Sequence, residues 1–471
     1  MNLTVKSDGD SSARESPIGQ TPTAAAVARA RAILAIVVLL SALFSAPAIA
    51  LPSFAQQTGQ PCNACHVGAF GPQLKPYARD FKLFGYQAGD GKSHELPIAL
   101  TAQTSFTHTQ ADQAPSAAPH FGENDNFAVD QLSLFYGGKA PGGFGVFAQA
   151  TYDGVARQFN LDNVDVRRVK VIDVGGKDLV LGFDLNNNPT IQDAWNSTPA
   201  WSYPYNSSAL APVPGAATLV DGGLQHLVVG AGGYVFWDYS VYAELTAYTP
   251  LDRVFAGRLG EGSNSTSDRF VGPIPYWRLA LNHDFGTKSS LEVGTYGLSA
   301  QRYPGGVSTD GADRLTDWAF DANYLNQGLP RKQVLSAHVT WIREDEDLRA
   351  SSLLLGSRGR DQLDTVRGDL SWSFADIWTP TVQLFRTSGS GDPALYSGPQ
   401  GRPDSSGYVL ELAYTGLGRP NSAIGWANWR GALQYVGYSR FDGAGQGAGR
   451  ADTLYLSLWL AVAPFGGRVH R

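Results

Sequence analysis

The chain has 471 residues, with 36 basic and 42 acidic side chains and a formal net charge of −6. That mild acidity argues against a nucleic-acid partner and is compatible with cationic ones. No apolar run after residue 50 is long enough for a spanning helix, so composition leaves a soluble β-rich protein and an outer-membrane barrel both open.

Residues 1–50 read as a cleaved export signal. Arg29 and Arg31 form the positive flank, Ala32 to Phe44 the apolar stretch, and Ala48-Ile49-Ala50 an A-x-A cleavage site before Leu51. The polar stretch before Arg29 is long for such a segment, which is compatible with a start codon further in. Attachment of a cofactor to such a chain would occur after export, which implies a Gram-negative envelope.

Directly after the signal comes Cys62-Asn63-Ala64-Cys65-His66, which holds both cysteines of the chain. A C-x-x-C-H run is the attachment site of c-type haem. The two thiols add across the haem vinyl groups and His66 is placed to ligate the iron. One covalently bound haem c is therefore expected, with Cys62, Cys65 and His66 as its cofactor-binding residues. The single methionine is Met1, which leaves with the signal, so no thioether is available as a second axial ligand. The opposite position falls to His94, nearest in sequence, or to His338, with His108 and His120 as further candidates. Lys75, Lys82 or an open position are the alternatives without histidine.

Residues 51–96 are too few to bury a stable core alone, so they are expected to form a plug seated in a larger body. A helical stripe of Leu74, Ala78, Phe81 and Gly85 predicts a helix over 72–86, with Pro72 at its start and Gly85 at its end.

From Pro97 to residue 471 the pattern changes to period two. Segments over 98–109, 127–138, 143–154, 160–173, 178–186, 223–235, 238–249 and 274–285 read as strands. So do 289–301, 313–325, 331–344, 363–374, 379–389, 406–416, 427–438 and 452–463. In the last, Leu454, Leu456, Leu458 and Leu460 alternate with Tyr455, Ser457 and Trp459. Val366, Leu370 and Trp372 likewise alternate with Arg367, Asp369 and Ser371.

Short connections follow the even segments and long ones the odd, including 187–222, 250–273 and 390–405. This is the arrangement of outer-membrane barrels, with periplasmic turns and extracellular loops. The expected fold is all-β: an outer-membrane barrel of about sixteen antiparallel strands over 97–471, with a small α-helical monohaem c-type cytochrome plug over 51–96. A barrel of that size keeps an aqueous lumen.

Phe54 to Pro61 run directly into the haem motif, and Pro72, Leu74, Arg79, Phe81-Lys82-Leu83 and Gly85-Tyr86 follow it. On these residues the segment 54–86 resembles the fused cytochrome–porin family of outer-membrane electron-transfer proteins, best known from iron-oxidising bacteria. Ala78 stands where the family tends to have Gly before the arginine. The barrel matches that family in length and strand number only. The resemblance implies a one-haem domain plugging a porin-like barrel. It also implies oxidation of extracellular Fe(II), or another small reductant, with electrons passed to a periplasmic c-type cytochrome.

A single haem cannot wire a bilayer whose apolar band is about 25 Å tall, so the lumen must bring the donor to it. Carboxylates can attract ferrous iron. The densest run is Glu344-Asp345-Glu346-Asp347, expected at the start of a long loop, and Glu244, Asp317, Asp321, Asp369 and Glu411 are expected in the lumen, where Arg278 and Arg367 can pair with them. No Ser-His-Asp arrangement, phosphate loop or structural zinc pattern stands out, so no catalytic residue is assigned and chemistry beyond one-electron transfer has no support. Three functions follow: an Fe(II)-oxidising conduit, a conduit for another donor or for outward electron flow, and a transport porin with a haem-bearing gate. Outer-membrane lipid and lipopolysaccharide complete the expected partners.

Overall fold

The computed structural model describes residues 52–89, 96–260, 268–420 and 427–463. The predicted export signal lies outside them. Three short helices come first: α1 (Pro52–Thr58), α2 (Cys62–Cys65) and α3 (Pro76–Leu83). The strands then run as β1 (Ile98–Thr109), β2 (Asn126–Ala140), β3 (Phe144–Asp153), β4 (Gln158–Asp173), β5 (Asp178–Asn186) and β6 (Val228–Trp237). They continue as β7 (Val241–Pro250), β8 (Arg269–Val271), β9 (Ile274–Phe285), β10 (Ser289–Tyr303), β11 (Asp313–Leu329) and β12 (Gln333–Asp347). The series ends with β13 (Arg360–Phe374), β14 (Trp378–Gly389), β15 (Ser405–Thr415), β16 (Ala427–Arg440) and β17 (Thr453–Val462).

All neighbours pair antiparallel, and β1 pairs with both β2 and β17, so the sheet closes into a barrel. The sixteen predicted segments coincide with β1–β7 and β9–β17. The extra strand β8 pairs with the same strand, β10, as β9 does. It is the outer end of β9, cut off at Gly272-Pro273, because a proline has no N–H to give the ladder. The sixth strand starts at Val228 rather than 223, because a helical turn over Leu219–Gly223 belongs to the preceding loop.

The wall is apolar outside and polar inside, the reverse of a soluble protein. Leu410 and Leu412 on β15 are exposed while Glu411 between them is buried. Phe320 on β11 is 49% exposed, whereas Asp321 beside it is 5% exposed. Arg167 and Arg278 are among the largest fully buried side chains.

Six connections at one end hold three or four residues: 141–143, 174–177, 238–240, 286–288, 330–332 and 375–377. The seventh there, 416–426, is longer. The opposite end carries the long connections, except 154–157 between β3 and β4, so the predicted alternation has one exception at each end.

Residues 52–89 sit inside the short-turn end. Their partners come from inward residues around the wall: Tyr86 Oη donates to Asp165 at 2.6 Å, and Tyr234 Oη to the Leu83 carbonyl at 2.5 Å. Arg79 donates to Ser290 Oγ at 2.7 Å, and Val67 packs on Leu325 and Val334. Helix α3 begins at Pro76, not Pro72, because the backbone of His66 bridges Leu74, and Lys75 after it is still extended. It ends as predicted at Gly85. There Tyr86 N–H reaches the Phe81 carbonyl and Gly85 N–H the Lys82 carbonyl, a Schellman closure with Gly85 at φ +69°.

The connection 187–227 does not stay above the barrel as an external loop. It folds into the lumen, and residues 187–198 are buried throughout. Arg167 donates to the Gln192 carbonyl at 2.5 Å, and Arg278 Nε lies 3.4 Å from Asp193. Leu219 N–H donates to Glu344 at 2.7 Å, Val220 N–H to Asp317 at 2.6 Å, and Asp221 pairs with Arg367 at 2.8 Å. Inward charges of the wall thus satisfy the polar backbone of a buried loop.

Candidate cofactor site

The four residues of α2 form one helical turn, which brings Cys62 and Cys65 to the same side at i, i+3 spacing. His66 leaves that turn extended at φ −116°, with its N–H on the Cys62 carbonyl at 2.9 Å. Val67 N–H then bonds the Gln73 carbonyl and Lys75 N–H the Cys65 carbonyl, so His66 is clamped in a two-stranded bridge.

The barrel holds this turn from outside. Lys75 Nζ reaches the Asn63 carbonyl at 2.8 Å and Asp376 at 3.2 Å, and Asn63 Nδ2 donates to Asp376 at 2.9 Å. Asn428 Nδ2 lies 3.3 Å from Cys62 Sγ and donates to the Ala69 carbonyl at 2.8 Å. Gly418 must lack a side chain here, because a Cβ would come within 3.0 Å of Cys62 Cβ and of the Ala69 carbonyl.

The two thiols are not joined to each other. Burial pushes the Cys62 thiol well up and the Cys65 thiol up to about 12, and pulls the His66 imidazole down to about 4. Burial thus favours the neutral imidazole, the form that ligates metals. His66 Nδ1 is buried without a hydrogen-bond partner.

Cys65 and His66 face a cavity of about 640 Å³ between residues 52–89, the inward loop and the wall. That volume is in the range of small-molecule and cofactor sites. Flat apolar side chains line part of it: Phe54, Phe70, Phe81, Phe135, Phe147 and Trp459. Cys62 sits just behind, packed with Ala55 and Ala69, which do line the cavity. Two thiols, a neutral imidazole and aromatic walls fit a covalently attached haem.

The other sequence candidates are dispersed. His94 lies outside the described residues. His338 Nδ1 pairs with Asp369 at 3.0 Å and faces a separate cavity of about 10 Å³. His108 is exposed and pairs with Asp125 at 2.7 Å, and His120 is exposed in the β1–β2 loop. Lys75 is turned to Asp376, away from the cavity. Lys82 lines the cavity, with its ammonium bound at 2.6 Å to both the Ile191 carbonyl and Asn196 Oδ1, and burial pulls it down to about 7.

A histidine that sequence reasoning missed, His226, also lines the cavity. It arrives there only because 187–227 turns inward, and no local pattern marks it. The expected lumenal carboxylates do face inward, in structural roles. Glu244 accepts from Gln192, Asp321 and Glu292 flank Arg278, and Glu411 pairs with Arg430. The run Glu344–Asp347 continues β12 rather than opening a loop. Among the described residues no three His, Cys, Asp or Glu side chains converge as a metal site.

No protein-family model and no curated protein matches the sequence. Among solved structures, the chain is similar to an anion-selective porin from Comamonas acidovorans, at 14% identity and a TM-score of 0.42, over 78% of this chain and 98% of that one. It is also similar to the outer-membrane channel DcaP of Acinetobacter baumannii, at 8% identity and 0.41, over 78% and 96%. A third is OmpF of Salmonella typhi in complex with daunomycin, at 10% identity and 0.44, over 77% and 96%.

Proposed function

We propose that this protein is an outer-membrane electron-transfer conduit. Cys62 and Cys65 would hold a c-type haem, with His66 placed to ligate it; the donor is extracellular ferrous iron that enters the lumen and the acceptor a periplasmic c-type cytochrome. The observation that carries this reading is the C-x-x-C-H turn opening on a haem-sized cavity inside a closed barrel. The hydrocarbon outer face of the wall supports embedding in the outer membrane. Since residues 52–89 precede β1 and occupy the short-turn end, that end is assigned to the periplasm.

A haem bound there supplies a reversible one-electron couple. The chain's own residues do the rest. Lys75, Asn63 and Asp376 fix the turn that carries the two thiols. The His66–Leu74 bridge sets the backbone from which the imidazole projects. Phe54 packs edge-on with Phe81 and face to face with Phe147, giving that side of the cavity an apolar lining. The arrangement also accounts for a barrel and a haem motif in one chain, since ferric product is kept on the extracellular side of residues 52–89 while only the electron crosses to the periplasm.

The test is stopped-flow absorbance of the detergent-solubilised holoprotein mixed with ferrous iron near neutral pH. Fast growth of the reduced α-band is the expected result. A haem that stays oxidised with ferrous iron, yet is reduced by dithionite, overturns iron as donor and points to another couple or to outward flow. The transport-porin reading draws support from the cavity rim, where Ser207, Ala209 and Gln225 are exposed. Solute conductance unchanged by loss of both thiols would favour it.

A further inference from the structure

The outer face of the wall changes character along β11 to β14. Strand registry lays its outward side chains in rows. Nearest the long-loop end, Arg314, Asp347 and Arg360 stand side by side. Trp318, Arg343 and Asp364 share a row further along the strands, and Phe320, Trp341, Val366 and Arg386 the row after it. Each of the four strands thus carries one outward arginine toward its long-loop end. On β2 and β5 the exposed side chains toward that end are instead Phe127 and Val129, and Leu185 and Phe183.

An aromatic cluster adjoins the arginines. Trp318 packs edge-on against Trp341 at 5.0 Å, and Phe320 stacks on Trp341 at 6.1 Å. Trp341 Nε1 donates to Asp364 at 3.0 Å, which ties the cluster to the charged rows. Toward the short-turn end the exposed side chains are Val339, Leu370, Val382 and Leu384. Charge, then aromatic rings, then aliphatic side chains is the order met on entering a bilayer from its surface.

The carboxylates of the patch do not neutralise it. Arg343 lies 3.4 Å from both Asp345 and Asp364, and Asp347 takes Arg349 at 3.2 Å. Arg314, Arg360 and Arg386 are exposed, and among the described residues they form no ion pair. A guanidinium presents a planar fork of N–H donors that matches a phosphate group, and it is weakly hydrated.

We propose that this outer face of β11–β14 is a binding site for lipopolysaccharide. Arg314, Arg360 and Arg386 donate to the phosphates of its sugar headgroup. Trp318, Phe320 and Trp341 lie at the boundary of sugar and acyl chain, and Val339, Leu370 and Leu384 meet the chains. The site rests on the outer-membrane placement of the barrel, with the long loops outside, and not on the haem.

The test uses the full-length holoprotein, stripped of lipid in detergent, and purified lipopolysaccharide truncated to its phosphorylated inner core. Native mass spectrometry reads the binding. The wild type is expected to retain the glycolipid, and R314Q/R360Q/R386Q to bind it at least about tenfold more weakly. Heat-dependent gel mobility checks that the variant barrel still forms. Removing the phosphates from the glycolipid should weaken wild-type binding to the level of the triple variant. Arg168→Gln, at an exposed arginine of β4 toward the short-turn end, should leave binding unchanged.

Unchanged binding by the triple variant overturns the proposal, and so does undiminished binding of the dephosphorylated glycolipid. An equal loss in Arg168→Gln overturns it too, because net charge rather than this patch would then be responsible. Equally tight binding of phosphatidylglycerol would make the face a general anionic-lipid surface and overturns it as well. A haem that ferrous iron does not reduce leaves this site standing. Lost glycolipid specificity beside normal haem reduction removes the site alone.

Discussion

The lumen of this barrel has two unlike halves, built on the same strand alternation. Along β4 to β11 it is solid. Arg167 sits among Asp165, Asp184 and the Gln192 carbonyl, and Arg278 among Asp193, Glu292 and Asp321, with both guanidiniums fully buried. Along β1 to β3, β16 and β17 the same kind of inward polar residue borders open space instead. The difference lies in what meets the wall. In the filled half the loop 187–198 supplies partners for two arginines, and in the other half the loop arches over a gap. Inward polarity alone therefore makes a barrel wall, and partner charges decide whether the interior closes.

The largest effect that can be brought to bear on this contrast is on the open half. Replacing both cysteines, C62A with C65A, should abolish covalent haem entirely, read as haem peroxidase staining on a denaturing gel. The heat-dependent mobility of the barrel should persist, because no strand depends on either thiol. Retained covalent haem would sink the attachment site. The next effect belongs to the filled half. Arg278→Met leaves Asp193, Glu292 and Asp321 buried around an apolar side chain, and breaking a buried ion cluster in this way costs about 3–5 kcal/mol. Urea unfolding in lipid vesicles, followed by tryptophan fluorescence, should show that loss. Gln131→Leu, on the open half, should shift the midpoint by far less. Equal shifts would mean that the two halves carry the same load.

The wall was legible in the sequence because each strand states its own sidedness: Leu454 and Leu460 outward, Tyr455 and Ser457 inward, with no need of a partner. The C-x-x-C-H turn was legible for the same reason, being local. The filling of the lumen was not, because it depends on pairs such as Asp193 with Arg278, Leu219 with Glu344 and Asp221 with Arg367. The charged members of these pairs are as hydrophilic on a solvated loop as in a buried one, and the Leu219 partner is a backbone N–H that every sequence carries. The inward course of 187–227, and with it the position of His226, follows only from those pairings. The start of α3 illustrates the same limit at short range. Pro72 and Pro76 are equally good first residues of a helix, and the choice is made by the His66–Leu74 bridge.

Where the two halves meet, Gly85 closes α3 against β4. Its φ of +69° and the 2.9 Å that a Cβ would leave to Val169 Cγ2 make two separate demands for glycine. Gly85→Ala should cost about 2 kcal/mol from the left-handed backbone, plus whatever Val169 cannot relieve by moving. The same urea titration reads it. A loss below that of an ordinary surface substitution would mean that residues 52–89 contribute little to the stability of the barrel.

The smallest effect is expected at Asn428, on the open half. Its amide is the wall's direct hydrogen-bonding contact with Cys62 and the Ala69 carbonyl. Asn428→Ala removes the 2.8 Å bond to that carbonyl and should cost about 1 kcal/mol in unfolding. The global midpoint will barely register it, so local amide hydrogen exchange is the sharper probe. Faster exchange confined to 62–69, with β16 and β17 unchanged, would show that the turn carrying the thiols opens independently of the wall. Faster exchange spreading through β16 and β17 would show the reverse, that this half of the barrel is held closed by the segment inside it.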